Sequence, residues 1–123
     1  MYEYRATLLR VVDGDTVHLA VDLGFDVTLN ITGRLHGINT PEMNTEAGHA
    51  ARGYLLDLIG PAEPGVWLGR LLVHTVKDRR EKYGRYLVTL WRDGEDTDQA
   101  PSINQRLVGA GHAQPYSGGT RHG

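Results

Sequence analysis

Apolar residues recur at every second position along three consecutive stretches near the N-terminus. Tyr2, Tyr4, Ala6 and Leu8 set the first alternation, which slips by one at Leu9 before Val11 and Val12. That slip predicts a first strand carrying a bulge or twist midway. Val17, Leu19, Val21 and Leu23 then alternate strictly with polar or small residues, the pattern of a half-buried second strand. Phe25, Val27, Leu29 and Ile31 repeat it, predicting a third strand that ends near Leu35. Asp13-Gly14 is a tight-turn signal between the first two, and Gly24 reverses the chain before the third. Together they predict a three-stranded antiparallel meander.

Beyond residue 42 the period changes. Ala47, Ala51, Tyr54, Leu55 and Leu58 fall on one face of a helix of about three turns, with Asn44 or Thr45 as its cap and Gly60-Pro61 as its end. A fourth strand is predicted over residues 66–76 and a fifth over 86–91, joined by a highly charged connection at 77–85. Ser102 with Gln105 three positions on is a capping box for a second helix from 103 to about 110, stopped by Gly111. The order β-β-β-α-β-β-α with short strands predicts a mainly β, α+β fold: a small, five-stranded, partly open Greek-key barrel of the OB type with two helices. Residues 1–116 form the expected domain, and the small polar residues 117–123 a flexible tail.

Length limits the chain to one modest core, at 123 residues and 13.6 kDa. With no cysteine, disulfides and thiolate metal sites are excluded. The N-terminus lacks the basic and apolar regions of a signal peptide, and no apolar run reaches membrane-spanning length. The expectation is a soluble, cytoplasmic monomer with no membrane partner. A net charge of −2 argues against tight, non-specific duplex binding, though a local basic cluster suffices for transient contact with nucleic acid.

Three clusters carry candidate chemistry. Asp13-Gly14-Asp15-Thr16 reads first as a hairpin turn with polar flanks, yet Asp15 lies past the turn, where a carboxylate has no turn to stabilise. Arg34, Asn39, Thr40 and Glu42 follow the third strand in a loop stiffened by Pro41. Its ordinary reading is a surface loop with a paired arginine, which contributes little stability. Its functional reading is a hard-cation site, because the oxygens of Asp15 and Asn39 and the Thr40 carbonyl suit Ca²⁺ or Mg²⁺. The third cluster, Lys82-Tyr83-Gly84-Arg85, is either a solvated hairpin tip or a phosphate grip beside a stacking platform. Six histidines show no zinc-ligand spacing, and Ser102 and Ser117 lack the context of a hydrolase nucleophile.

Three blocks in register, Asp13-Gly14-Asp15-Thr16-Val17, then residues 34–42, then Lys82-Tyr83-Gly84-Arg85, resemble the staphylococcal nuclease-like (thermonuclease) family. The likeness spans roughly residues 5–116 and is closest to short intracellular or phage-type members. It implies a metal-dependent phosphodiesterase, an endonuclease on DNA or RNA with single strands preferred, leaving 3′-phosphate ends. Ca²⁺ is the implied cofactor, with Mg²⁺ or Mn²⁺ as alternatives. By position, Asp15, Asn39 and Thr40 match the metal ligands. Glu42 matches the acid that orients the attacking water, and Arg34 and Arg85 match the arginines on the phosphate. Lys82, Tyr83 and Tyr116 match the nucleotide contacts.

One position departs from that pattern. The family usually carries an aspartate where this chain has Asn39, and an amide oxygen brings no charge to a calcium site, so weaker metal binding is expected. The competing reading is a catalytically weak or inactive OB module that binds single-stranded nucleic acid or a protein. The joint presence of Asp15, Arg34, Glu42 and Arg85 points to the enzyme, and Asn39 points away from it.

Overall fold

A computed structural model describes residues 2–60, 69–80 and 84–116. The elements in chain order are β1 (Tyr2–Asp13), β2 (Thr16–Asp22), β3 (Thr28–Leu35), β4 (Ile38–Asn39), α1 (Glu46–Ile59), β5 (Arg70–Arg80), β6 (Tyr86–Arg92), α2 (Ile103–Gly109) and β7 (Gln114–Pro115). Five strands close into a barrel in the order β1-β2-β3-β6-β5, with β5 returning to pair with β1. This is a mixed α+β, OB-like fold with two helices. The barrel is closed rather than partly open, because a short parallel ladder sets Gly33, Arg34 and Leu35 of β3 against Tyr86, Leu87 and Val88 of β6.

The slip in the first alternation is a bulge. Leu8 faces Leu19 and Arg10 faces His18, so Leu9 has no partner across the ladder and its side chain lies exposed. Val17, Leu19, Val21, Leu35, Leu71, Val73, Val88 and Leu90 fill the barrel, and Leu55 and Ile59 of α1 with Ile103 and Leu107 of α2 extend the same core. Thr45 caps α1 by accepting the Gly48 N–H at 3.0 Å. The Ser102–Gln105 capping box of α2 is present in both directions. Among the described residues no helix is long and apolar enough to cross a membrane.

Three departures from the sequence reading have local causes. β3 starts at Thr28, not Phe25. Gly24, Phe25 and Asp26 all take positive φ, and the turn is closed by Leu23 N–H to the Val27 carbonyl and Val27 N–H to the Gly24 carbonyl, each 2.9 Å. The alternation of Phe25 and Val27 with polar neighbours thus continued through a turn, and Phe25 stands fully exposed at its tip. β5 runs on to Arg80, where Arg80 pairs with Tyr86, so part of the charged connection is strand. β4 and β7 went unpredicted because two residues each show no period. Residues 61–68 and the tail at 117–123 lie outside the described residues.

Candidate functional site

The site is assembled at one end of the barrel, where the β1–β2 turn, the end of β3 and the loop before α1 meet. The Asp13 carboxylate accepts the Asp15 N–H at 3.0 Å and shapes the turn. Gly14 lets that turn press on its neighbours: a Cβ there would lie 2.8 Å from Thr40 Oγ1 and 2.9 Å from Ala51 Cβ of α1. The turn therefore reaches one residue further than the sequence suggested, and Asp15 sits within it, immediately before β2.

Asp15 is buried, 8% exposed, and its carboxylate accepts hydrogen bonds from Thr16, Thr40 and Arg34. Oδ1 accepts from Thr16 Oγ1 at 3.2 Å. Oδ2 accepts from the Thr40 N–H at 3.1 Å and from Arg34 Nη1, also at 3.1 Å. Arg34 is then spread across the loop. Nη1 donates to the Leu35 carbonyl at 3.2 Å, and Nη2 donates to Asn39 Oδ1 at 2.8 Å. One guanidinium thus bridges the carboxylate and the amide that the sequence suggested as cation ligands. Asp13, half-buried beside this group, has its carboxyl raised above the ordinary aspartate value, first by burial and then by its neighbour Asp15.

The loop is fixed from two sides. On one, Ile38 and Asn39 pair with Pro115 and Gln114, and Tyr116 N–H donates to the Gly37 carbonyl at 2.8 Å. A groove of about 260 Å³ runs beside this contact between Asn39, Thr40, Pro41 and residues 111–114. On the other side, the Glu42 carbonyl accepts both the Thr45 N–H and the Thr45 hydroxyl, at 3.1 and 2.6 Å. Gly48 packs against that same carbonyl so closely that a Cβ would lie 1.9 Å from it. Glu42 itself is exposed.

Arg85 lies just before β6. It is two positions ahead of Leu87, the partner of Arg34 in the parallel ladder. Leu35 and Val88 are buried on the inner side of that ladder, so Arg34 lies on its outer face, and Arg85 adjoins the start of β6. Tyr116 is half-buried and joins the loop through its backbone. Lys82 and Tyr83 lie outside the described residues.

Sequence reasoning passed over Asn104. It is buried on α2, donates to the His36 and Val88 carbonyls at 2.9 and 3.1 Å, and accepts the Leu90 N–H at 3.2 Å. The available signal was a polar residue on the apolar face between Ile103 and Leu107.

The donor set bears directly on the implied calcium. Among the described residues, no three histidine, aspartate or glutamate side chains come together to hold a metal ion. The expected ligands present one carboxylate, one neutral amide and the neutral Thr40 carbonyl, and the first two already accept from Arg34. Calcium sites rely on several oxygen ligands with carboxylate charge, so this arrangement does not fit the ion.

No protein-family model matches the sequence. The chain is similar to protein ParB of Escherichia coli, with 30% identity over 117 residues. The match takes in 93% of this chain and spans 58% of the length of that relative.

Proposed function

We propose that this domain is an OB-type module that binds single-stranded nucleic acid, holding a backbone phosphate at the barrel end that carries Arg34. The observation supporting this reading is the anchoring of that guanidinium by Asp15, Leu35 and Asn39, with Arg85 adjoining the start of β6, the strand paired with β3. An arginine held from behind presents its remaining N–H groups in a fixed fork, which matches phosphate oxygens. OB barrels commonly bind oligonucleotides across this kind of surface.

Phosphodiester hydrolysis is the second reading. What favours it is Glu42, an exposed carboxylate in the loop that also carries Asn39 and Thr40, the residues that contact Arg34 and Asp15. Such a group could orient water against a phosphate whose developing charge the arginines stabilise.

Fluorescence anisotropy with a labelled single-stranded DNA separates binding from its absence. Wild-type protein is expected to bind weakly, with a dissociation constant on the order of 10⁻⁴ to 10⁻⁶ M at physiological salt. Arg34→Met should lose most of that affinity while keeping its circular dichroism spectrum. Equal affinity in a folded Arg34→Met protein would refute the phosphate assignment. Incubating the same oligonucleotide with wild type and Glu42→Gln, with and without Ca²⁺, tests hydrolysis. Cleavage by wild type alone would favour the second reading.

A further inference from the structure

The geometry points to a site in which Arg34 is the resident cation, so that a phosphate is bound there without a divalent metal ion. This rests on reading that barrel end as a phosphate site, and it goes further by naming what supplies the positive charge. A divalent ion placed between Asp15 and Asn39 would have to take the position of the guanidinium. Arg34 Nη1 and the Thr40 N–H already lie on Asp15 Oδ2, and Thr16 Oγ1 lies on Oδ1. Arg34 Nη2 lies on the side-chain oxygen of Asn39.

Charge leads to the same conclusion. Of the expected ligands only Asp15 carries charge, and Arg34 offsets it; Asn39 and the Thr40 carbonyl are neutral, and the Asp13 carboxylate is engaged by the Asp15 N–H within the turn. An aspartate at position 39 would leave one surplus negative charge and a second carboxylate, which is what calcium sites use to replace water. The side chains of Arg34 and Asp15 are only 13% and 12% exposed. Displacing the guanidinium would therefore leave a largely buried cation without its counter-ion, a costly state. An arriving phosphate asks for no such exchange. A guanidinium has five N–H donors, and the Asp15, Leu35 and Asn39 contacts leave others to meet it.

Calorimetric titration of the intact chain with CaCl₂ tests this directly. Wild type should give no saturable heat up to ~1 mM, the weak end of biological calcium sites. Asn39→Asp should acquire saturable binding in that range. Wild-type binding at or below ~0.1 mM, or binding equal to that of Asn39→Asp, would overturn the inference. In parallel, oligonucleotide affinity is measured in EDTA and in ~1 mM Ca²⁺. A change below about twofold is expected, and a gain of about tenfold with Ca²⁺ would overturn the inference while leaving nucleic-acid binding in place. Arg34→Lys, which keeps the charge and loses the fork, should weaken binding about tenfold in both buffers. If the oligonucleotide binds under neither condition, the nucleic-acid reading fails, and the calcium titration still decides whether the site takes a metal.

Discussion

Asp13 makes this end of the barrel sensitive to pH. Its carboxyl is half-buried and held above the ordinary aspartate value by burial and by Asp15. A raised folded-state value means that the folded chain holds this proton more firmly than the unfolded chain does. The group therefore favours folding in acid and opposes it once the pH has risen through the folded value. Asparagine keeps an oxygen that can accept the Asp15 N–H and removes the titration. Asp13→Asn should accordingly gain melting temperature on wild type as the pH rises from about 3 to 7, with the difference smallest at the acid end. The check is a pair of thermal melts across that range. A difference that stays constant, or narrows towards neutrality, would place the proton elsewhere. Glu95 shifts the other way: although burial opposes it, hydrogen bonds from Arg106 and the Arg92 backbone hold its carboxyl low. Its contribution fades in acid, and a Glu95→Gln control separates the two groups.

Between elements, the weakest seam of the barrel is the parallel join of β3 and β6. The ladder covers three residue pairs and stops at Leu35 and Val88, after which, among the described residues, β6 continues with no strand on that side. Asn104 of α2 completes the edge by satisfying Leu90 N–H, the Val88 carbonyl and the His36 carbonyl together. Asn104→Ala should destabilise the protein by roughly 1–3 kcal/mol, since the buried Leu90 N–H loses its partner while the Val88 carbonyl keeps the His36 N–H. Urea unfolding measures it, and a loss below ~1 kcal/mol would mean that solvent reaches the seam. The way this seam escaped the sequence reading marks what was legible. Alternation along 17–23 and 29–35 revealed β2 and most of β3, and the Ser102–Gln105 spacing revealed α2, because those signals are local. The same spacing logic brought Asp15, Arg34, Asn39 and Thr40 into one group. Asn104 and the β4–β7 pair depend on contacts between distant parts of the chain, and no local period records them. That Asn39 would face Arg34 was equally hidden, since the identity of a ligand set does not reveal what already occupies it.

For the whole molecule, the charge balance limits how such a domain can hold nucleic acid. Thirteen lysines and arginines stand against fifteen aspartates and glutamates, so no general field gathers a polyanion onto the surface. Attraction must be local, and the β3–β6 join carries Arg34 on β3 with Arg85 just ahead of β6. Each phosphate neutralised on a single strand contributes about −0.7 to the slope of log K against log salt, so two contacts imply a slope near −1.4. A protein that binds through a broad cationic groove would instead show a slope several times steeper. Anisotropy titrations at four or five salt concentrations between about 50 and 200 mM distinguish the two. A slope steeper than about −3 would mean that phosphates are met well beyond Arg34 and Arg85, and the local account would fail. A slope near zero would mean that neither arginine meets a phosphate. Arg34→Met should bring the slope down by about 0.7, one contact, if that guanidinium neutralises a single phosphate.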